Sequence, residues 1–197
     1  MSNVAIAYHS GYGHTARIAE HIAKGARAAG AQVELINVDG ITEKDWQKLD
    51  DADAIIFGAP TYMGGASAQF KTFEDQSSSR FMTQSWKGKL AAGFSNSGSP
   101  SGDKLSTLVQ IFLFTQQHGM LWQGLGVFPS EFPKGNEFVT KDAVNRVGSF
   151  AGLLTQANND APENTFTPGD LKTAELFGAN VATTATKLSG LELASVE

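Results

Sequence analysis

Cysteine is absent from the chain, which excludes disulfides, thiolate catalysis and cysteine-held zinc or iron–sulfur centres. Long apolar runs are absent too: none approaches the roughly 20 residues that cross a bilayer. Met1-Ser2-Asn3 leads straight into an apolar stretch, without the basic region and cleavage site of a secretory leader. Charge is sparse, at 18% of 197 residues and net −5, and both signs are interspersed, so no basic cluster offers a face to nucleic acid or lipid. Six acidic residues fall between Asp39 and Asp53, but their spacing does not match a calcium loop, and a solvated face is expected there. These absences point to a cytoplasmic protein with no membrane span, no nucleic-acid partner and no metal site.

What is present is enough apolar residue, 41%, for a full core. One domain is expected over residues 1–190, with 191–197 as a tail. Val4–Tyr8 is apolar on both alternating faces and reads as a central strand. Residues 15–29 read as an amphipathic helix stopped by Gly30, with Ile18, Ala19, Ile22, Ala23 and Ala26 inward and His21 on the solvated side. Further strands are expected at 32–37, 54–58, 89–95 and from Met120, with helices between them. The fourth helix is expected to start at an Asp103 N-cap and to turn Leu105, Leu108, Val109 and Phe112 inward. Residues 125–167 show no periodicity, although 148–154 can return to the sheet edge, and 158–162 reads as a turn. A last helix opens at Thr167-Pro168. Strands alternating with helices predict an α/β fold: a three-layer, doubly wound, five-stranded parallel sheet in the flavodoxin-like order 2-1-3-4-5.

Three loops, after strands 1, 3 and 4, are built unlike ordinary connectors. The first, His9-Ser10-Gly11-Tyr12-Gly13-His14-Thr15, joins a strand to a helix. Free backbone N–H groups and the helix dipole favour an anion there, Ser10 and Thr15 add hydroxyls, and Gly11 and Gly13 remove Cβ atoms that would keep a phosphate away. The loop has no lysine and fits neither the triphosphate-binding nor the dinucleotide-binding glycine pattern, so the implied ligand is a single phosphate on neutral donors. The second loop, with Pro60, Thr61, Tyr62, Met63 and Gly64, suits a flat heterocycle: an aromatic or thioether face and backbone groups along the edge. The third, from Ser95, Asn96, Ser97 and Gly98 to Gly102, offers uncharged donors for a polyol or the polar edge of a ring. Phosphate, polyol and flat ring together describe FMN. Each loop alone has a plainer reading, as a glycine-rich turn, core side chains or a solvated turn. His118, at the end of the fourth helix and expected near the third loop, is the histidine best placed for chemistry at the flavin's N1–C2=O edge. The plainer reading is a helix C-terminal histidine favoured by the dipole.

At this point the chain resembles the WrbA-like NAD(P)H:quinone oxidoreductases of the flavodoxin-like superfamily. The resemblance runs from Val4 to Gly190. It rests on Tyr8–Thr15, on Ala54–Tyr62, on Phe73-Glu74-Asp75-Gln76, on Gln117-His118-Gly119-Met120 and on the closing Lys187-Leu188-Ser189-Gly190. It implies non-covalent FMN, with the phosphate on Ser10, Tyr12, Gly13, His14 and Thr15, the ring against Pro60, Thr61, Tyr62 and Met63, and His118 facing the ring's polar edge. It also implies NADH or NADPH as co-substrate, a quinone or similar small acceptor, and a homotetramer or dimer in which Phe81 approaches a neighbouring subunit's site. Pro100 in the third loop and Phe81, where the family often has tryptophan, depart from the pattern, and residues after Gly124 match it poorly. The competing classes are a flavodoxin-type electron carrier, which would share the FMN loops, and a non-enzymatic interaction protein on the same fold. The uncharged second and third loops argue against the charged docking rim that a carrier uses.

Overall fold

A computed structural model describes residues 1–190; the tail expected at 191–197 lies outside the described residues. The first strand, β1 (Asn3–Tyr8), sends Val4 and Ile6 to one face and Ala5 and Ala7 to the other, all buried. That two-sided burial makes it central: β1 pairs in parallel with β2 (Gln32–Asn37) on one side and β3 (Ala54–Tyr62) on the other. β5 (Leu90–Ser97) continues the sheet beside β3, and a short hairpin strand, β4 (Gly65–Ala66), folds back on the end of β3.

The fifth position of the sheet is shared. β6 (Leu121–Gln123) pairs with the first half of β5, at Leu90–Ala92, and β7 (Leu153–Gln156) with its second half, at Phe94–Ser97. The expected parallel order 2-1-3-4-5 is thus present as β2-β1-β3-β5 followed by β6 and β7, which share the last position and are separated by an excursion through 124–152. The neck of the excursion is closed by bonds from Leu125 N to Phe150 O (3.0 Å) and from Trp122 Nε1 to Ala151 O (2.9 Å). Within it, buried Asn145 donates to Val127 O (3.0 Å) and Ser149 O (2.9 Å).

Helices cover both faces. α1 (His14–Ala28) and α6 (Pro168–Ser189) pack on the face of Val4 and Ile6, so closely that a Cβ on Gly178 would lie 2.0 Å from Ile22 O. α2 (Glu43–Asp51), α3 (Ala68–Gln76) and α5 (Lys104–Gln117) cover the other face over an aromatic core in which Trp46 stacks on Phe73 at 5.1 Å and Phe57 meets Phe114 edge-on at 5.5 Å. α2 starts in a capping box, Thr42 accepting from Asp45 N while the Asp45 carboxylate accepts from Thr42 N. No helix among the described residues is long and apolar enough to cross a membrane.

Several local expectations need correction. β3 runs on to Tyr62 instead of ending at Gly58, because β5 and β4 pair with its far end. The serine run does not end the helical region; it starts α4 (Ser78–Thr83), held by Arg80 on Asp50 (3.3 Å), on Glu43 (3.1 Å) and over the Trp46 ring. Asp103 has φ 53° and makes no capping bond from its side chain. α5 turns Leu108, Ile111 and Phe114 inward and leaves Leu105, Val109 and Phe112 outside. His21 is paired rather than solvated: its Nδ1 lies 3.0 Å from Glu175 Oε1, between α1 and α6.

Candidate functional site

Parallel strands bring their C-terminal ends to one rim, and the loops after β1, β3, β5 and β7 meet there around a cleft of about 530 Å³. That is the size range of small-molecule sites and the position where doubly wound sheets bind ligands. The first loop reaches α1 through Gly13, at φ 86°, which takes the N-cap place without a side-chain cap. Ser10 Oγ accepts from Ala16 N at 3.0 Å, while Gly13 at the N-cap has no side chain to cover the amides of His14 and Thr15. Thr15 is buried and its hydroxyl accepts from Asn96 Nδ2 at 2.8 Å, tying the first loop to the third.

The second loop is tied in from below. Thr61 Oγ1 lies 2.8 Å from Ser95 Oγ and 2.7 Å from Thr107 Oγ1, and Ser95 Oγ donates to Ala59 O at 2.8 Å. Tyr62 projects into the cleft and meets Tyr12 edge-on, with ring centroids 6.1 Å apart. Burial, with Tyr12 beside it, pushes the Tyr62 phenol above its ordinary value, so it stays a neutral donor. Beneath these loops, buried His9 joins Ser67 at 2.7 Å, Nδ1 to Oγ, and burial holds it below its ordinary value and neutral.

Of the residues expected at the site, Tyr12, His14, Thr15, Pro60, Thr61, Tyr62, Asn96, Ser97 and Gly98 line the cleft. Ser10, Gly11 and Gly13 shape the first loop behind it. Met63 and Gly64 do not line it: with φ 48° and 81° they form the two-residue hairpin turn into β4, and Met63 is fully exposed at the tip. Ser95 is a buried strut and not a wall residue.

His118 is outside the cleft. α5 runs back along the sheet, so its end meets the starts of the strands, where Leu121 N donates to Lys89 O and Gly88 N to Gly119 O, both at 2.9 Å. The expectation that His118 lies at the third loop's edge is corrected by this. The ring is buried 4.5 Å from Trp86 and 4.8 Å from Phe114, its Nε2 bonds Ser77 Oγ at 2.9 Å, and its Nδ1 has no partner among the described residues. Burial pushes it down to about 4, so it is neutral at physiological pH.

A fourth wall, Ala157–Asp160, was legible only as a turn. Its place follows from β7: Ala157 N donates to Ser97 O at 2.9 Å, and His14 Nε2 bonds Asp160 O at 2.9 Å, carrying the turn across the mouth. The signal available was the return of the chain to the sheet edge, since the loop after any strand of a parallel sheet arrives at the same rim.

The cleft fits FMN on its own geometry. A Cβ on Gly11 would stand 2.8 Å from Tyr62 Oη, and one on Gly13, at φ 86°, would stand 2.6 Å from Pro162 Cγ, so glycine at these positions lets Tyr62 and Pro162 close on the phosphate-side loop. Hydroxyl, amide and backbone groups of the loops line it together with the rings of Tyr12 and Tyr62.

Fold and site together define a flavodoxin-like domain, and the chain belongs to the flavodoxin domain family, whose profile matches residues 5–104. Among individual proteins, the chain is 39% identical over 185 residues to flavodoxin FldP of Pseudomonas aeruginosa, covering 92% of this chain and 96% of that one. It is 31% identical over 210 residues to an NAD(P)H dehydrogenase (quinone) of Archaeoglobus fulgidus, covering 95% and 100%. The crystal structure of a flavodoxin, WrbA-like protein from Agrobacterium tumefaciens superposes with a TM-score of 0.74 at 41% identity, over 95% of this chain and 99% of that one.

Proposed function

We propose that the chain is an FMN-dependent oxidoreductase that takes reducing equivalents from NADH or NADPH and passes two electrons to a quinone. The observation that carries this reading is the cleft itself: a helix start with no side chain at its N-cap, polar groups from the neighbouring loops and two tyrosine rings at one rim, in a chain similar over nearly its whole length to an NAD(P)H dehydrogenase (quinone). When bound, FMN supplies the redox chemistry, accepting hydride from a nicotinamide and giving two electrons to an acceptor. The protein's part is to hold and shape. The amides after Gly13 and the hydroxyls of Ser10 and Thr15 hold the phosphate. Thr61, locked by Ser95 and Thr107, sets the height of the ring loop, and Asn96, locked by Thr15, fixes the third loop against the first. Tyr62 covers the ring side of the cleft, with Tyr12 edge-on beside it.

Assembly into a homotetramer or dimer belongs to the same proposal. Phe81 is exposed, and α5 turns an apolar row, Leu105, Val109, Phe112 and Leu113, outward. The mass in solution by light scattering tests it, and a strict monomer would contradict it.

The relative named flavodoxin, at 39% identity, favours a second reading, an electron carrier built on the same cleft. Anaerobic stopped-flow separates the two. The oxidoreductase reading expects NADH or NADPH to bleach the bound flavin and a benzoquinone to restore it. A flavin that neither nucleotide bleaches, and that reduces in two separate one-electron steps on titration with dithionite, would establish the carrier instead.

A further inference from the structure

Lys104, the first residue of α5, is fully buried directly beneath the third loop. Its ammonium donates to Ser99 O at 2.6 Å, Pro100 O at 3.0 Å and Ser97 Oγ at 3.1 Å, so all three protons serve the loop whose Ser97 and Gly98 line the cleft. A lysine here is costly twice over. The ammonium leaves water, and it sits in the first turn of a helix, where the dipole is already positive. A second cation lies close by. Arg146 bonds Asp170 at 2.9 Å and Gln156 Oε1 at 3.3 Å, and Gln156 Nε2 reaches Gly98 O at 3.2 Å. Asp170 and Arg146 are the charged groups that act on Lys104, the first favouring its charge and the second opposing it. Burial brings the lysine down to about 8, which still leaves it charged at neutral pH. Two cations and one carboxylate leave the underside of the third loop with one net positive charge, where a low dielectric makes it felt.

We propose that Lys104 is a positioning residue that fixes the third loop and, through the net positive charge it shares with Arg146 and Asp170, biases the cleft toward the negatively charged, reduced state of its ring ligand. This rests on the FMN reading. Two-electron reduction puts negative charge on the pyrimidine side of a flavin, and a fixed cation beneath the loop that meets that side binds the reduced form more tightly than the oxidised one, raising the potential. That suits a protein that accepts hydride from a nicotinamide, and it opposes service as a strongly reducing carrier.

The test is the two-electron midpoint potential of FMN bound to the full-length protein, by dye equilibration, alongside the affinity for oxidised FMN by fluorescence quenching. Lys104→Gln keeps hydrogen-bond donors but removes the charge, Lys104→Met removes both, and Lys104→Arg restores the charge. Asp170→Asn removes the opposing negative charge. The Gln and Met variants are expected to bind reduced relative to oxidised FMN at least tenfold less well, a fall of about 30 mV for a two-electron couple. The Arg variant is expected near wild type, and Asp170→Asn is expected to shift the potential upward. The Met variant alone is expected to lose affinity for oxidised FMN as well. Folded Gln and Met variants with the wild-type potential would overturn the proposal. If the lysine variants do not fold, Asp170→Asn decides by its sign, an unchanged or lower potential overturning it. Wild-type protein that takes up no FMN removes both this inference and the reading beneath it. Wild-type protein that binds FMN and is reduced by a nicotinamide, with no variant shifting the potential, removes this inference alone.

Discussion

Tyr62 shows how one side chain ties the rim together. Its hydroxyl rests 2.8 Å from where a Cβ of Gly11 would be, its ring meets Tyr12 edge-on, and 38% of the residue remains exposed to the cleft and solvent. Tyr62→Ala is expected to weaken FMN binding about tenfold, the scale of one aromatic contact. The melting temperature should stay nearly unchanged, because the ring supports the cleft more than the core; fluorescence quenching and a thermal melt check the two halves. His118 works in the opposite sense. Its folded value is about 4 against an unfolded value near 6.5. Between those values the unfolded chain binds a proton that the folded chain refuses. Stability is therefore full above pH ~6.5 and falls by about 3 kcal/mol as the pH drops to 4. Urea titrations across that range are expected to show the slope, and His118→Gln is expected to remove it. A slope that survives the substitution belongs to other groups. The phosphate loop and Tyr62 were legible in the sequence because glycine, hydroxyl and aromatic types carry their own chemistry. The place of His118 was not, since its meaning depends on which end of α5 faces the ligand. Lys104 was silent for a similar reason: a lysine at a helix start reads as solvent-exposed until the loop above it closes.

At the scale of elements, the contact between α1 and α6 is a backbone contact. A Cβ on Gly178 would lie 2.0 Å from Ile22 O, and one on Gly25 would lie 1.8 Å from Glu175 O, so neither helix can give way by a rotamer change. Gly178→Ala is expected to lower the unfolding free energy by about 3 kcal/mol, at the upper end of overpacking effects, as measured by urea denaturation. A loss under 1 kcal/mol would mean that the helices slide apart easily. The excursion through 124–152 is held differently, by Asn145 in its interior and by Arg146 on Asp170 of α6. Arg146→Ala leaves Asp170 buried without its main partner and is expected to cost about 3 kcal/mol, with amide exchange fastest in this segment. These two modes explain what could be read in advance. Strands β1, β2, β3 and β5 and helices α1, α2 and α6 announce themselves by apolar runs, apolar period and flanking residues. The excursion is ordered by side-chain to backbone bonds, which leave no period. The inward face of α5 is only partly readable, Leu108 but not Leu105, Val109 or Phe112, because both of its sides are apolar: Leu108, Ile111 and Phe114 inside, Leu105, Val109 and Phe112 outside.

At the scale of the molecule, the doubly wound order places the ends of β1, β3, β5 and β7 at one rim, and the functional account depends on that rim acting as one site. Four loops meet there through Thr15 on Asn96, Thr61 on Ser95, Ala157 on Ser97 and His14 on Asp160, so the cleft is preorganised by bonds between its walls. A preorganised cradle of backbone amides should recognise the phosphate and not merely the ring. The direct measurement is a fluorescence titration of apoprotein with FMN and, in parallel, with riboflavin, which keeps the ring and the polyol but lacks the phosphate. The account expects one FMN per chain, bound at least tenfold more tightly than riboflavin. Equal affinity for the two flavins, or binding of neither, would contradict it.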